Sequence, residues 1–208
     1  MASTSKYSEN LLDIGSGTGL LGLMFAQQHA ETEIHAIEID VKSAELTTSN
    51  FQSSPFENKF KSFNTSLQQF QLAHEGFYET IICNPPFFDN QLQSKNLNKN
   101  LAKHDFGLTK EELLQGIDKL LSEAGTLYLL LPPVEAGEFI KLASKPKINL
   151  SALVKVKNFE HSEPIRYMMR FERNSTDVQE DTICIYVHEK TYSNDFINLL
   201  KDYYLYLT

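Results

Sequence analysis

Short apolar runs alternate with helix-length amphipathic segments along most of this chain. Runs at 10–14, 33–39, 59–64, 77–83 and 126–131 predict strands, and segments at 19–30, 41–53, 66–74 and 109–123 carry the wider spacing of helices. Alternation of this kind predicts right-handed βαβ units and a parallel sheet covered on both faces. Thr109 with Glu112 forms a capping-box pattern that starts the fourth helix, and Gly125 is placed to end it. After residue 131 the pattern changes. Pro132 and Pro133 open a helix over 134–144, and three β-rich runs follow at 150–159, 165–173 and 182–188. Strands so closely spaced are expected as antiparallel additions at one sheet edge. Aromatic and leucine positions at 195–207 predict a terminal helix. The longest stretch without a pattern, 84–108, reads as a functional loop.

Composition narrows the class. With 41% hydrophobic and 22% charged residues over 208 positions, the chain suits one globular α/β domain. Its expected division is a ligand-binding half at 10–83, the loop at 84–108 and a second half at 109–208. No run is long enough for a membrane span, and the first ten residues are polar rather than signal-like. Cys83 and Cys184 sit in apolar runs without metal-ligand spacing, so they are expected as reduced residues of a cytoplasmic protein that holds no metal. The net charge of −8 argues against a nucleic-acid partner, but it is unevenly spread. Residues 1–90 carry 4 basic against 11 acidic side chains, residues 91–173 carry 13 against 10, and residues 174–208 carry 2 against 6. The net basic part begins where the loop begins.

Two stretches carry chemistry. Leu11-Leu12-Asp13-Ile14-Gly15-Ser16-Gly17-Thr18-Gly19 is a strand running into a glycine turn at a helix start. Alternate glycines let a ligand approach the backbone closely. A pyrophosphate-binding loop would place its third glycine at position 20, which is Leu20, and would not precede the loop with an acid. Asp13 suits a cationic ligand instead. Glu38 stands at the end of the next strand, about 20 residues on, where a ribose-binding acid belongs. A nucleoside carrying positive charge fits both, and S-adenosylmethionine is such a molecule.

With LDIGSGTG followed by AIEID, the chain resembles the class I S-adenosylmethionine-dependent methyltransferases. That resemblance implies a Rossmann-like, doubly wound sheet of seven strands, mostly parallel with one antiparallel strand near the edge. It implies cofactor contacts by Gly15, Ser16, Gly17 and Gly19, with Asp13 beside them and Glu38 on the ribose. Asn64, at the end of the third strand, stands where the family usually has an acid for the adenine amino group; its carbonyl oxygen can accept the same bond.

The second stretch, Asn84-Pro85-Pro86-Phe87-Phe88, matches the family's sequence for methylation of an exocyclic or amide nitrogen. The resemblance implies that the Asn84 side-chain oxygen and the Pro85 carbonyl accept the two amine hydrogens. Pro85 and Pro86 hold those acceptors rigidly, Phe87 offers a face for the base, and Phe88 lines the pocket or anchors the loop. Asn84 also borders the cofactor.

Further matches narrow the family. Ala102-Lys103-His104-Asp105 with Leu108-Thr109, the helix from Gly19 to Gln27, Ser54-Pro55-Phe56, Leu130-Leu131-Pro132, Glu163-Pro164-Ile165-Arg166 and the tail around Tyr192-Ser193 and Tyr203-Tyr204 all resemble the bacterial valine-tRNA adenine-N6 methyltransferases. That resemblance implies methylation of the adenine 3′ of the anticodon, with Lys103, His104 and Arg166 meeting RNA. Two departures stand out: Lys103 replaces an arginine, and the segment before the first strand is shorter than the family's, so either the start is truncated or part of the pocket's lid is lacking, with a lower cofactor affinity expected. The alternatives are a guanine-N2 rRNA methyltransferase, a release-factor glutamine methyltransferase, and a catalytically silent RNA- or partner-binding module. A monomer is expected, with a dimer as the alternative.

Overall fold

The computed structural model describes residues 9–57, 59–85 and 108–206. Along the chain run β1 (Asn10–Ile14), α1 (Leu20–Ala26), β2 (Glu33–Glu38), α2 (Val41–Ser53), β3 (Phe60–Asn64), α3 (Leu67–Phe70) and β4 (Tyr78–Cys83). They are followed by α4 (Lys110–Leu120), β5 (Leu121–Leu131), α5 (Pro133–Ala143), β6 (Asn149–Lys157), β7 (Pro164–Glu172) and β8 (Gln179–Cys184). A small hairpin, β9 (Tyr186–His188) and β10 (Thr191–Tyr192), leads to α6 (Asn194–Leu200).

Eight strands form one sheet in the order β3-β2-β1-β4-β5-β7-β6-β8. Successive residues of a strand point to opposite faces, which explains the paired leucines of β1. Leu11 joins Ala26, Ile34, Ala36 and Phe51 on the face covered by α1 and α2. Leu12 joins the larger core on the other face, with Ile81, Leu113, Leu129, Phe139 and Phe171 among its members. Strands covered on both faces lose the alternation of apolar and polar positions, as the adjacent pairs Leu11-Leu12 of β1 and Ile81-Ile82 of β4 show.

The mostly parallel, doubly wound sheet agrees with the expected class, and three details differ. β7 alone runs against its neighbours, as the family resemblance implies and where close strand spacing predicts three such strands: it pairs antiparallel with both β5 and β6 and lies inside the sheet. β8 is not an antiparallel addition but pairs parallel with β6 and forms an eighth, outer strand. Gly125 does not end the preceding helix, which stops at Leu120; the glycine lies within β5. A side chain there would meet the Tyr78 carbonyl at 2.9 Å, so glycine lets β5 pass close to β4 where their register shifts. The Thr109–Glu112 capping box forms with both of its bonds. The terminal helix is shorter than expected, because the chain turns after Leu200 to meet α1: Gln27 Nε2 donates to the Asp202 carbonyl at 2.8 Å.

Candidate active site

Register brings the carboxyl ends of the parallel strands together on one edge of the sheet. Ile14 lies opposite Ile37 of β2 and Cys83 of β4, so the glycine turn, Glu38 and Asn84 leave the sheet side by side. Ligands of open α/β sheets bind at such an edge, where neighbouring strands lead to opposite faces.

The glycine loop is fastened from below. Gly15 and Ser16 donate their amides to the Ile37 carbonyl at 2.9 and 3.1 Å. Thr47 Oγ1 of α2 donates to the Gly17 carbonyl at 2.9 Å and lies 3.2 Å from Ser16 Oγ, while Asn50 Nδ2 reaches the Thr18 carbonyl at 2.8 Å. Thr47 and Asn50 are thus supports that sequence reading missed; the signal was a polar threonine on the inward face of α2. Gly15, Gly17 and Gly19 have φ of 69°, 57° and 76°, the left-handed region that favours glycine. They differ in what a side chain would meet. At Gly15 and Gly17 it would meet nothing within 4 Å, which leaves the loop backbone open to a ligand. At Gly19 it would lie 2.9 Å from the Phe51 ring, so this glycine also lets α2 close against the loop.

Glu38 aims its carboxylate across the loop. One oxygen accepts the Gly17 amide at 2.9 Å and the other the Asp40 amide at 3.0 Å, which fixes the group and leaves lone pairs for hydroxyl donors. Asn64 Nδ2 donates to the Glu38 and Ile39 carbonyls at 2.9 and 3.1 Å. With its nitrogen so used, the Asn64 carbonyl oxygen is the atom left to accept from a ligand. Beside them Ile39 and Val41 are 47% and 57% exposed, an apolar pair where a purine ring could lie. Sequence reading had not singled them out.

Asp13 is buried in β1 at 1% exposure, and neither carboxylate oxygen has a hydrogen-bond partner among the described residues. Burial, with the Glu38 charge adding to it and the nearby Gly22 amide opposing it, pushes its pKa from 3.8 up to about 7. An unpaired carboxylate under an open glycine loop suits a bound cation. The orphaned acid, the open backbone at Gly15 and Gly17 and the fixed Glu38 together fit S-adenosylmethionine.

At the next strand end Asn84 is exposed and Pro85 buried, so a rigid, packed residue backs an accessible side chain. Burial and the Asp13 charge raise the Cys83 thiol far above its usual range, which makes this neighbour inert. Arg166 lies at the start of β7, on the same edge because β7 runs the other way: Leu131 at the end of β5 faces Tyr167. Its guanidinium donates to the Ile165 carbonyl at 2.7 Å. Pro86, Phe87, Phe88, Lys103 and His104 lie outside the described residues. Among the described residues no cluster of three His, Cys, Asp or Glu side chains is arranged for a metal ion, and no helix is long and apolar enough to cross a membrane.

Comparison with known proteins agrees with this geometry. The family model for the methyltransferase small domain matches residues 2–129, which contain the glycine loop, Glu38 and Asn84. A solved structure described as a predicted O-methyltransferase from Agrobacterium tumefaciens superposes with a TM-score of 0.74 at 13% identity, covering 97% of this chain and 92% of that one. A SAM-dependent methyltransferase from Aquifex aeolicus gives 0.55 at 12% identity, over 78% and 81% of the two chains. At such identities these share the fold. Sequence relatives are much nearer. A tRNA1(Val) (adenine(37)-N6)-methyltransferase from Flavobacterium psychrophilum is 34% identical over 94% of this chain and 84% of its own. Its counterpart from Aliivibrio salmonicida is 36% identical over 95% and 83%. A third, from Aliivibrio fischeri, is 37% identical over 94% and 82%. With the glycine loop, the ribose-side acid and the Asn-Pro-Pro turn on one sheet edge, and with identity running through both halves of the fold, this chain belongs to the tRNA1(Val) (adenine(37)-N6)-methyltransferases of the methyltransferase small-domain family.

Proposed function

We infer that this protein methylates the exocyclic N6 of an adenine in RNA, using S-adenosylmethionine, and that the adenine is position 37 of tRNA1(Val). The observation that carries this reading is the 34% identity over 94% of the chain to a relative named for that reaction. When bound, the cofactor supplies an electrophilic methyl group on a sulfonium sulfur. Asp13 would supply the negative charge for it, Glu38 would accept hydrogen bonds from the ribose hydroxyls, and Asn64 would accept one from the adenine amino group.

The chain's part in the chemistry is to prepare a poor nucleophile. An adenine amine delocalises its lone pair into the ring. Asn84 Oδ1 and the Pro85 carbonyl each accept one amine hydrogen, which draws the lone pair back to nitrogen and directs it. Because the buried proline holds the second acceptor, little reorganisation is left for the transition state. The methylated ammonium is acidic enough to release its proton to water, so no general base is required. Phe87 serves as the stacking face for the unstacked base, Phe88 lines the pocket or anchors the loop, and Lys103, His104 and Arg166 meet phosphates.

The enzyme works in the cytoplasm as a monomer. The outer strand β8 presents exposed Gln179, Glu180 and Asp181, and charges on an edge strand oppose pairing with another sheet.

Incubation with isotope-labelled S-adenosylmethionine and tRNA1(Val) lacking this modification should yield N6-methyladenosine on nucleoside mass spectrometry. N2-methylguanosine, labelled protein or no transfer would each overturn the reading. Lys103→Ala should lower tRNA affinity and reduce the slope of log affinity against log salt by about 1, the amount expected for one lost phosphate contact. An unchanged slope would remove Lys103 from the RNA surface.

A further inference from the structure

Beyond Asn84 the same sheet edge carries a feature that the reaction chemistry leaves unused. Five rings from four parts of the chain lie in a column, two stacked runs joined by one tilted contact. Phe196 of α6 lies 5.1 Å from Tyr192 of β10 at 21°, and Tyr192 lies 5.1 Å from Tyr186 of β9 at 18°. Tyr186 lies 5.8 Å from Phe159, which follows β6, with the rings tilted by 37°, and Phe159 lies 5.8 Å from His161 at 10°. The inner four are half-buried and fasten the β9–β10 hairpin to α6; the outermost, His161, is exposed.

Topology places this column at the reactive edge. β6 and β8 run parallel to β1–β5, so their carboxyl ends point the same way as those of β1, β2 and β4. The hairpin is tied to those ends: Ile185 donates its amide to the Lys157 carbonyl at 2.8 Å, and Tyr186 donates to Asn158 at 2.9 Å. β4 and β6 are three strand spacings apart, about 14 Å. That is too far for the base held at Asn84 and within reach of the nucleotides beside it.

We propose that His161, at the outer end of the aromatic column, is a stacking platform for an unpaired base flanking the target adenine. The inference rests on RNA being the substrate. A planar ring with one face already on Phe159 needs no hydrogen-bonding partner to extend the column, and every base offers a π face. Local charge does not do the work, because Lys157 and Arg166 are offset by Glu160 and Glu163. Stacking is therefore the contact, and its contribution is insensitive to salt.

The test uses the full-length protein and a fluorescent, unmodified tRNA1(Val) anticodon stem-loop, with the dissociation constant read by anisotropy. His161→Ala should weaken binding about tenfold, within the range measured for loss of one base–aromatic stack. His161→Tyr should restore it, and the slope of affinity against salt should stay as in the unaltered protein. Unchanged affinity in His161→Ala, or equal loss in the alanine and tyrosine variants, would overturn the proposal, as would a changed salt slope. Thermal unfolding of both variants should match the unaltered protein, since His161 is exposed; a lowered melting point in His161→Ala would assign the ring to the fold and overturn the platform. The two readings fail separately. Absent methylation of the tRNA by the unaltered protein overturns the function, whereas normal methylation with unchanged stem-loop affinity in His161→Ala overturns only the stack. A stem-loop that the unaltered protein does not bind overturns the stack, while the function still stands or falls on methylation of the tRNA.

Discussion

Replacing Asn84 by alanine should lower the turnover of tRNA by at least about a thousandfold while leaving the affinity for S-adenosylmethionine within about twofold. Loss of one preorganised polar group facing a developing charge costs about 10²–10³ in rate, and here the same loss also releases the amine from its orientation. On the proposed reading the cofactor is held elsewhere, by the loop from Gly15 to Gly19 and by Glu38, whose own bonds do not involve Asn84. The exposed Asn84 side chain is not part of the core, so the variant should fold. Asn84→Asp keeps an acceptor and should retain more activity than the alanine variant. Turnover comes from single-turnover incorporation of labelled methyl, and affinity from calorimetry. Loss of both together, or normal turnover in the alanine variant, would show that Asn84 does not act as an amine acceptor.

The second large effect falls on Asp13 and has opposite signs for fold and ligand. A carboxyl group whose pKa rises from 3.8 to about 7 on folding binds its proton more tightly in the folded state. Its contribution to stability is thus greatest below about pH 4 and is lost as pH rises to about 7, a change of about 4 kcal/mol at 1.36 kcal/mol per pKa unit. Asp13→Asn removes that burden. Above pH 7 the ligand-free variant should melt higher than the unaltered protein and should lose the dependence between pH 4 and 7. Affinity for S-adenosylmethionine should fall about a hundredfold, because the positive ligand then lies over a neutral group. The same logic makes cofactor binding release a proton near neutral pH, detectable as a calorimetric heat that varies with buffer ionisation enthalpy. A variant that binds the cofactor normally, or melts lower above pH 7, would dismiss this account of Asp13.

Local signals carried most of the architecture. β1 and α2 fall where the sequence predicts them because their ends are chemically marked. β1 runs into the glycine turn, and Asp40 caps α2 by accepting the Ser43 amide at 2.9 Å. Gly125 misled because glycine marks a helix end and a tight strand crossing alike, and only the β4 neighbour distinguishes them. The direction of β8 was not legible at all, since alternation along a strand is the same whichever way its partner runs. At the site, the gathering of Asp13, the three glycines, Glu38 and Asn84 on one sheet edge was legible because each lies at or just beside a strand end in a recognisable pattern. Thr47, Asn50 and the column ending at His161 were not. Their roles come from neighbours between 2 and 32 positions away, and no local pattern records such pairings.

The insertion of β7 between β5 and β6 has a consequence for synthesis. The ribosome releases β6 before β7, yet β6 has no place in the sheet until β7 has paired with β5. Until Glu172 has emerged, β5 exposes an unpaired edge along a strand carrying Leu127, Leu129 and Leu131, which is the kind of edge that recruits other chains. The halves of this enzyme therefore mature in sequence. Strands β1 to β5 can pair first, while β6 and β8 wait for β7.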